Sequence, residues 1–432
     1  MKKLPLEGIR VTSLTLVWAG PFAEMLLADW GAEVIRVEST QRWPTSTRGF
    51  LARPPAAYVK NSSLLACYWN SEAGERPWNR CTIFNYHGRN KLGCTMDIAQ
   101  PKGKEMFKRL IAKSDVFIEN NAAGVVDRLG IGYEALKEVN PGLVMVGLPG
   151  YGNTGPYKSF HGYGAHQEST GGHTWLRGYP DLGPGANNLV LHVDAAAGAL
   201  AAYSVMLALR HKRRTGKGQF IDLAQTEACV THQFDPAMDY ILNGRVRGAT
   251  GNRHSSAAPC GAYRCKGEDE WVAITVNDDR EWAGFCRAIG NPELTKDEKF
   301  SSCVDRWNNQ DELDKLVEAW TSERNNYEVM YALQKEGVPA GPVISNKAAF
   351  DDPHLKKREV FEQLYQEDCG TYLTPAFLWR AEKTPNRIRK PAVRLGEHNE
   401  YVYKELIGVS EEEYAQLEKE GHIGMEMASH VK

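Results

Sequence analysis

Residues 9–38 read IRVTSLTLVWAGPFAEMLLADWGAEVIRVE, and this stretch decides the fold. Residues 9–17 are a short run of β-branched and apolar side chains, the pattern of a buried strand. Ala19-Gly20-Pro21 makes a tight turn with Pro21 placed for a helix start, FAEMLLADWG continues as a helix, and AEVIRVE returns as a second strand. The unit is β-α-β. Downstream, KLGCTMDI (91–98), PKGKEMFKRLIAKS (101–114), DVFIEN (115–120), GVVDRLGIGYEALKEVN (124–140) and LVMVGL (143–148) repeat the alternation of strand and helix. A mostly parallel sheet with helices on its faces is therefore expected, and ligands of such sheets gather at the carboxyl ends of the strands. Those ends carry Val17 to Pro21, Glu38-Ser39, Asp97, Glu119 to Asn121 and Gly150 to Gly152.

A second stretch, LHVDAAAGALAAYSVMLALRHKRRTGKGQFIDLAQTE (191–227), sets one acid, Asp194, before a run of small and apolar residues that ends in a basic cluster. Both ends suit a helix macrodipole. An ordinary N-cap is the commoner fate of such an Asp. The alternative is functional: with only Ala and Gly beside it, unpaired amides would hold its carboxylate ionised and within reach of a ligand.

Several classes are excluded. The AGP turn lacks the GxGxxG of a dinucleotide fold, and TGKGQ lacks the earlier glycine and the Ser or Thr of a phosphate loop. A net charge of -2 and a pI near 6.7 provide no field for nucleic acid. Nine cysteines without a CxxC pair fit reduced thiols in a cytoplasm, with no disulfide framework and no metal site. The apolar run 195–209 is shorter than the ~20 residues that span a bilayer, so no membrane contact is expected. Pro5, Glu7 and Arg10 interrupt any export signal.

With 432 residues, two or three domains are expected. The reading is a large α/β domain over 1–205, a linker over 206–228, a small domain over 229–335, a return segment over 336–395, and a polar helical part over 396–432 that packs back on the large domain. Residues 41–87, punctuated by Trp and Pro, read as an extended surface loop. GYGNTGPYKSFHGYG (150–164) and GGHTWLRGYPDLGPGANN (171–188) are loops suited to close approach of backbone to a ligand.

These landmarks, together with Asn90-Lys91, GNRHSSAAPCGAYRC (251–265), GVPAGPV (337–343) and LGEH (395–398), resemble the family III CoA-transferases over nearly the whole chain. The resemblance implies a Rossmann-like large domain with a smaller α+β domain, paired as interlocked rings with itself or with a related subunit. It implies Asp194 as nucleophile, with coenzyme A as substrate and no resident cofactor. Coenzyme A contacts would fall on Val17, Trp18, Ala19, Met96, Asp97, Ile98, Ala99, Asn120, Asn121, Ala122 and Arg128. The acid would lie near Trp18, His161 and Tyr163. Ser39 departs from the pattern, standing where a relative has a phosphate-binding Arg; Arg36, Arg42 or a loop residue would replace it. Trp18 in place of a Gln, the bulkier run 255–259, and Trp43, Trp69 and Trp78 imply a medium-sized or aromatic acid. The racemase branch of the family shares Asp194 but uses a His where this chain has Tyr163, and a free phenol, with an ordinary pKa of ~10, is a poorer proton shuttle than an imidazole. Transfer is therefore the expected reaction, ahead of racemisation or of a role as a coenzyme A-binding partner subunit.

Overall fold

Six strands, β1 (Arg10–Leu14), β2 (Glu33–Glu38), β3 (Leu92–Thr95), β4 (Val116–Glu119), β5 (Val144–Gly147) and β6 (Gln219–Asp222), form one sheet in the order β3-β2-β1-β4-β5-β6. All pairings are parallel. The structure is a computed structural model that describes residues 4–44, 46–62, 67–188, 190–377 and 379–432. Strand order reverses between β1 and β4, so a crevice opens beyond their carboxyl ends.

Period-two alternation divides the strands between two cores. Val116, Ile118, Val144 and Val146 face the helix Ala19–Asp29 and one stripe of the long helix His192–Thr215. Phe117 and Met145 face the helix Pro101–Ile111, together with Val402, Tyr403 and Leu417 from late in the chain. Every residue of the helix Ala19–Asp29 is buried, including Glu24 and Asp29. Those two acids explain the Asn90-Lys91 pair. Lys91 Nζ donates to Glu24 Oε2 and to the Pro21 carbonyl, both at 2.9 Å. Ser13 and Thr15 hydroxyls also donate to Glu24. Arg89 and Asn90 each donate to Asp29 at 2.7 Å. Burying a carboxylate is tolerable only with such partners.

Two units are distinguished. The first comprises Met1–His173, Leu189–Met238 and Val360–Lys432; the second comprises Thr174–Asn188 and Asp239–Glu359. In the second, β7 (Cys260–Arg264), β8 (Trp271–Thr275) and β9 (Ala340–Val343) form an antiparallel sheet. Its core joins Val272 and Ile274 to Trp282, Phe285, Leu313, Val317, Val329 and Leu333 from three helices. A hairpin of β10 (Phe361–Gln366) and β11 (Gly370–Pro375) belongs to the first unit.

Four expectations change. Residues 206–228 are not a linker: they hold the second half of the long helix, strand β6 and the start of the helix Gln225–Thr231. Residues 336–395 include β9, which pairs with β8, so the second unit extends past residue 335. The single helix expected over 124–140 is two, Val125–Arg128 and Tyr133–Lys137, because Gly130 takes φ +70° between them. The described part of 41–87 is no surface loop. Arg48, Trp78, Asn79, Phe84 and His87 are buried in it, and Arg48 forks onto Glu38 with two bonds of 2.7 Å. Residues 45 and 63–66 of that stretch lie outside the described residues.

Candidate active site

The long helix begins at His192, so Asp194 lies in its first turn and is not the N-cap. Leu191 occupies the cap position in the left-handed region, φ 58°, without a side-chain cap. The capping acid comes instead from Glu168 on the helix Gly164–Thr170: His192 N–H donates to Glu168 Oε1 at 2.7 Å and Val193 N–H at 3.3 Å.

Asp194 is only 6% exposed. Two other helix starts converge on it. A side-chain carbon at Gly164 would fall 1.9 Å from Asp194 Oδ2, so bare backbone is required there. The Ala19 amide, at the start of the helix Ala19–Asp29, and Asp194's own amide face the carboxylate and oppose the rise of its pKa. Close approach of the two long-packed helices depends on Gly198, where a β-carbon would meet the Ala19 carbonyl at 2.6 Å. The amides do not keep Asp194 fully acidic, contrary to expectation. Burial, followed by the charge of Glu168, pushes its pKa up to about 7.

Asp194 opens onto a cavity of about 530 Å³ at the crevice where strand order reverses. Its lining includes Leu16, Val17, Asn120, Asn121, Ala122, Phe160, His161, Tyr163, His166 and Gln225. The floor is rigid. Leu16 N–H donates to Asn120 Oδ1 at 2.7 Å while Asn120 Nδ2 returns to the Leu16 carbonyl at 2.8 Å, tying β1 to β4. Asn121 donates from its backbone to Glu119 Oε2 at 2.8 Å; burial pushes the Glu119 pKa up to about 7. Val17 adopts φ 61°, a strained conformation for a β-branched residue, held by its N–H donating to Thr47 Oγ1 at 2.9 Å. Tyr163 N–H donates to His166 Nδ1 at 3.0 Å, which leaves the His166 proton on Nε2.

Of the residues expected from sequence, Val17, Asn120, Asn121, Ala122, His161, Tyr163 and Asp194 meet around this cavity, with Ala19 behind it. Trp18 does not line it: its indole stacks on Phe22 with centroids 5.2 Å apart and meets the buried His87 edge-on at 4.9 Å. Trp43 and Trp78 pack with Leu395, Met427 and Val431, and Trp69 lies against Tyr372. The aromatic lining expected from these four tryptophans is therefore absent among the described residues, since each ring is used in packing the chain on itself.

Met96 and Ile98 are buried in the core between the sheet and the helix Pro101–Ile111. Ala99 N–H turns back to Asp97 Oδ1 at 3.3 Å. Asp97 lines a second cavity, of about 620 Å³, with Arg42, Gln100, Lys102, His422 and His430. Arg36 is excluded as the substitute for the missing arginine, because it is buried and bound to the Thr15 carbonyl at 2.8 Å and to Glu38 at 3.3 Å. Arg42 remains available beside Ser39. Arg128 is exposed and has no ion pair among the described residues. Sequence reasoning missed Glu168 and Gly164, since a glutamate that caps a helix 24 residues later leaves no local signal.

A doubly wound sheet whose crevice presents a desolvated carboxylate, with no phosphate loop, defines an α/β protein of a narrow class. Residues 6–399 match CoA-transferase family III. The succinyl-CoA–D-citramalate CoA-transferase of Chloroflexus aurantiacus is 31% identical over 414 residues, covering 96% of this chain and 97% of that one. The beta subunit of the succinyl-CoA–L-malate CoA-transferase of the same organism is 31% identical over 422 residues, covering 96% and 97%. A crystal structure of a CaiB/BaiF family protein from Brucella suis superposes with a TM-score of 0.78 at 29% identity, covering 94% of this chain and all of the other. The chain belongs to CoA-transferase family III, and it is an enzyme of the transferase type.

Proposed function

We propose that the enzyme moves coenzyme A from an acyl-CoA to a free carboxylic acid, with Asp194 as the covalent relay. Attack of an Asp194 oxygen on the thioester carbonyl forms a mixed anhydride and expels coenzyme A thiolate. The thiolate attacks the aspartyl carbonyl, releasing the first acid and leaving an aspartyl-CoA thioester; the acceptor acid reverses the sequence. The observation that carries this reading is the placement of Asp194 over the cavity, nearly dry, against Gly164 and the Ala19 amide. A dry site protects an anhydride from water, and a helix-start amide is aimed where oxyanion charge develops.

The pantetheine arm would enter past Val17, Asn120, Asn121 and Ala122, which line the Asp194 cavity. The nucleotide phosphates would meet Arg42 and Lys102 in the second cavity, or the exposed Arg128. The acceptor is a medium-sized acid. A short dicarboxylic acid is favoured over an aromatic one, because His161, His166, Asn120, Asn121 and Gln225 set polar groups among the apolar side chains of the lining and the relatives are named for malate and citramalate.

An interlocked dimer is supported by the outer stripe of the long helix, where Leu200, Tyr203 and Leu207 are exposed at helical spacing. A related subunit in place of a second copy is supported by the relative that is itself a beta subunit. A reducing cytoplasm agrees with nine free cysteines.

Asp194→Asn tests the reading. Turnover with succinyl-CoA and a panel of acids should fall to background while the oligomer measured by light scattering is kept; near-normal turnover would end the assignment. Mass spectrometry of the wild type with succinyl-CoA should show a coenzyme A or acyl adduct on the peptide that holds Asp194.

A further inference from the structure

We infer that Glu168 is a positioning residue for the reaction at Asp194, fixing the first turn of the long helix and, by like charge, favouring the covalent states of Asp194 over its free carboxylate. The inference rests on Asp194 being the nucleophile.

Glu168 has no exposed surface. One of its oxygens accepts the His192 and Val193 amides, two of the donors that a helix start leaves unpaired. Ser, Thr or Asn at the cap would satisfy such donors without burying a charge. Here the cap position holds Leu191, and the acceptor is a carboxylate supplied from another helix. Glu168 stands one helical turn after Gly164, the residue whose α-carbon abuts Asp194 Oδ2. Two carboxylates therefore flank one helix start.

Other titratable groups on the surrounding elements are His166 on the same helix, His173 with Nδ1 3.9 Å from Glu168, His192, and Glu227 and His232 beyond the cavity. His192 and His232 share a contact of 3.1 Å, and Glu227 is exposed. Glu168 is the buried charge that acts on Asp194, second only to burial in holding its pKa up at about 7.

When an Asp194 oxygen bonds to the thioester carbon, the C–S bond breaks and its electron pair leaves on sulfur. The negative charge departs from Asp194, and its repulsion with Glu168 is relieved. The anhydride and the aspartyl thioester are both neutral at Asp194, so both gain relative to the free carboxylate.

The test compares Glu168→Gln and Glu168→Asp with the wild type, using kcat/KM against pH and the ratio of adduct to free enzyme at limiting succinyl-CoA. Glutamine keeps an oxygen for the two amides and removes the charge. It should move the acid midpoint down by about one unit and lower the adduct ratio about tenfold. Aspartate should restore the midpoint at a lower Tm. A fallen maximal rate with unchanged midpoint and adduct ratio would overturn the inference, leaving Glu168 a structural cap. If Glu168→Gln does not fold, the double variant Leu191→Asn with Glu168→Gln, in which the local side chain supplies the helix cap, takes its place with the same readouts and the same overturning result. Turnover surviving in Asp194→Asn would instead sink the nucleophile assignment itself.

Discussion

At the scale of single residues, the site is built from conformations and protonation states that cost stability. Val17 and Leu191, both left-handed without being glycine, stand two residues and one residue before the helix starts that bring Ala19 and Asp194 together. Such residues persist only where the surroundings over-determine them. Asp194 costs stability as well. Its folded-state pKa of about 7 lies above the unfolded value of 3.8, so stability falls as pH rises from about 4 to 7 and the cost is complete above that. Asp194→Asn is accordingly expected to raise Tm by about 2–4 °C at pH 8, with the gain vanishing below about pH 4, as read by thermal scans across that range. Gly164→Ala displaces the nucleophile itself. The Gly164 φ is not in the left-handed region, so alanine is sterically allowed as backbone, yet its β-carbon would meet Asp194 Oδ2. A loss of at least about 100-fold in kcat/KM is expected, since misplacing a reacting group by about 1 Å costs that much, together with a destabilisation of about 1–3 kcal/mol from the overpacked contact.

Among elements, the decisive contact is that of the helix Ala19–Asp29 with the long helix, because it sets the distance from the Ala19 amide to Asp194. Gly198→Ala would push a methyl into the Ala19 carbonyl and the Phe22 ring. It should destabilise by about 1–3 kcal/mol and reduce turnover more than substrate binding, which urea titration and a kcat-against-KM comparison would show. Lys91→Met strands Glu24 in the core, where burial already holds the lysine pKa down. A loss of about 3–5 kcal/mol is expected for breaking one side of that pair. These elements differ in how far the sequence discloses them. The strands β1 to β5 carry dense runs of Val, Ile and Phe, so period and length were enough to find them. β6 lies inside the stretch read as a linker, and the boundary drawn at residue 205 cuts a helix whose backbone continues to Thr215. Asp194 was legible through its small neighbours and the family resemblance. The role of the tryptophans was not, since an indole in a polar stretch looks alike whether it lines a ligand or, as with Trp78, fills a core.

For the whole molecule, the first unit is discontinuous: the chain leaves it after Met238 and returns at Val360. What returns completes its core. Val402, Tyr403, Leu417 and Ile423 join the core between the sheet and the helix Pro101–Ile111, and Met427 and Val431 close over Trp78. Arg389 donates to the Asp29 carbonyl at 3.1 Å, at the far end of the helix Ala19–Asp29. Deleting residues 396–432 should therefore abolish soluble expression of the first unit, whereas a polar tail would be dispensable; solubility and limited proteolysis of the truncated chain distinguish the two. The same return of the chain governs its biosynthesis. Domains usually fold in the order in which a ribosome releases them, but here the six-stranded sheet, although made first, cannot close its core until residue 423 has left the exit tunnel. The second unit, complete by Glu359, is free to fold while the helix Pro101–Ile111 still waits for Val402, Tyr403 and Leu417, so the nascent chain passes through a stage that calls for chaperone protection on that face of the sheet and not at its middle.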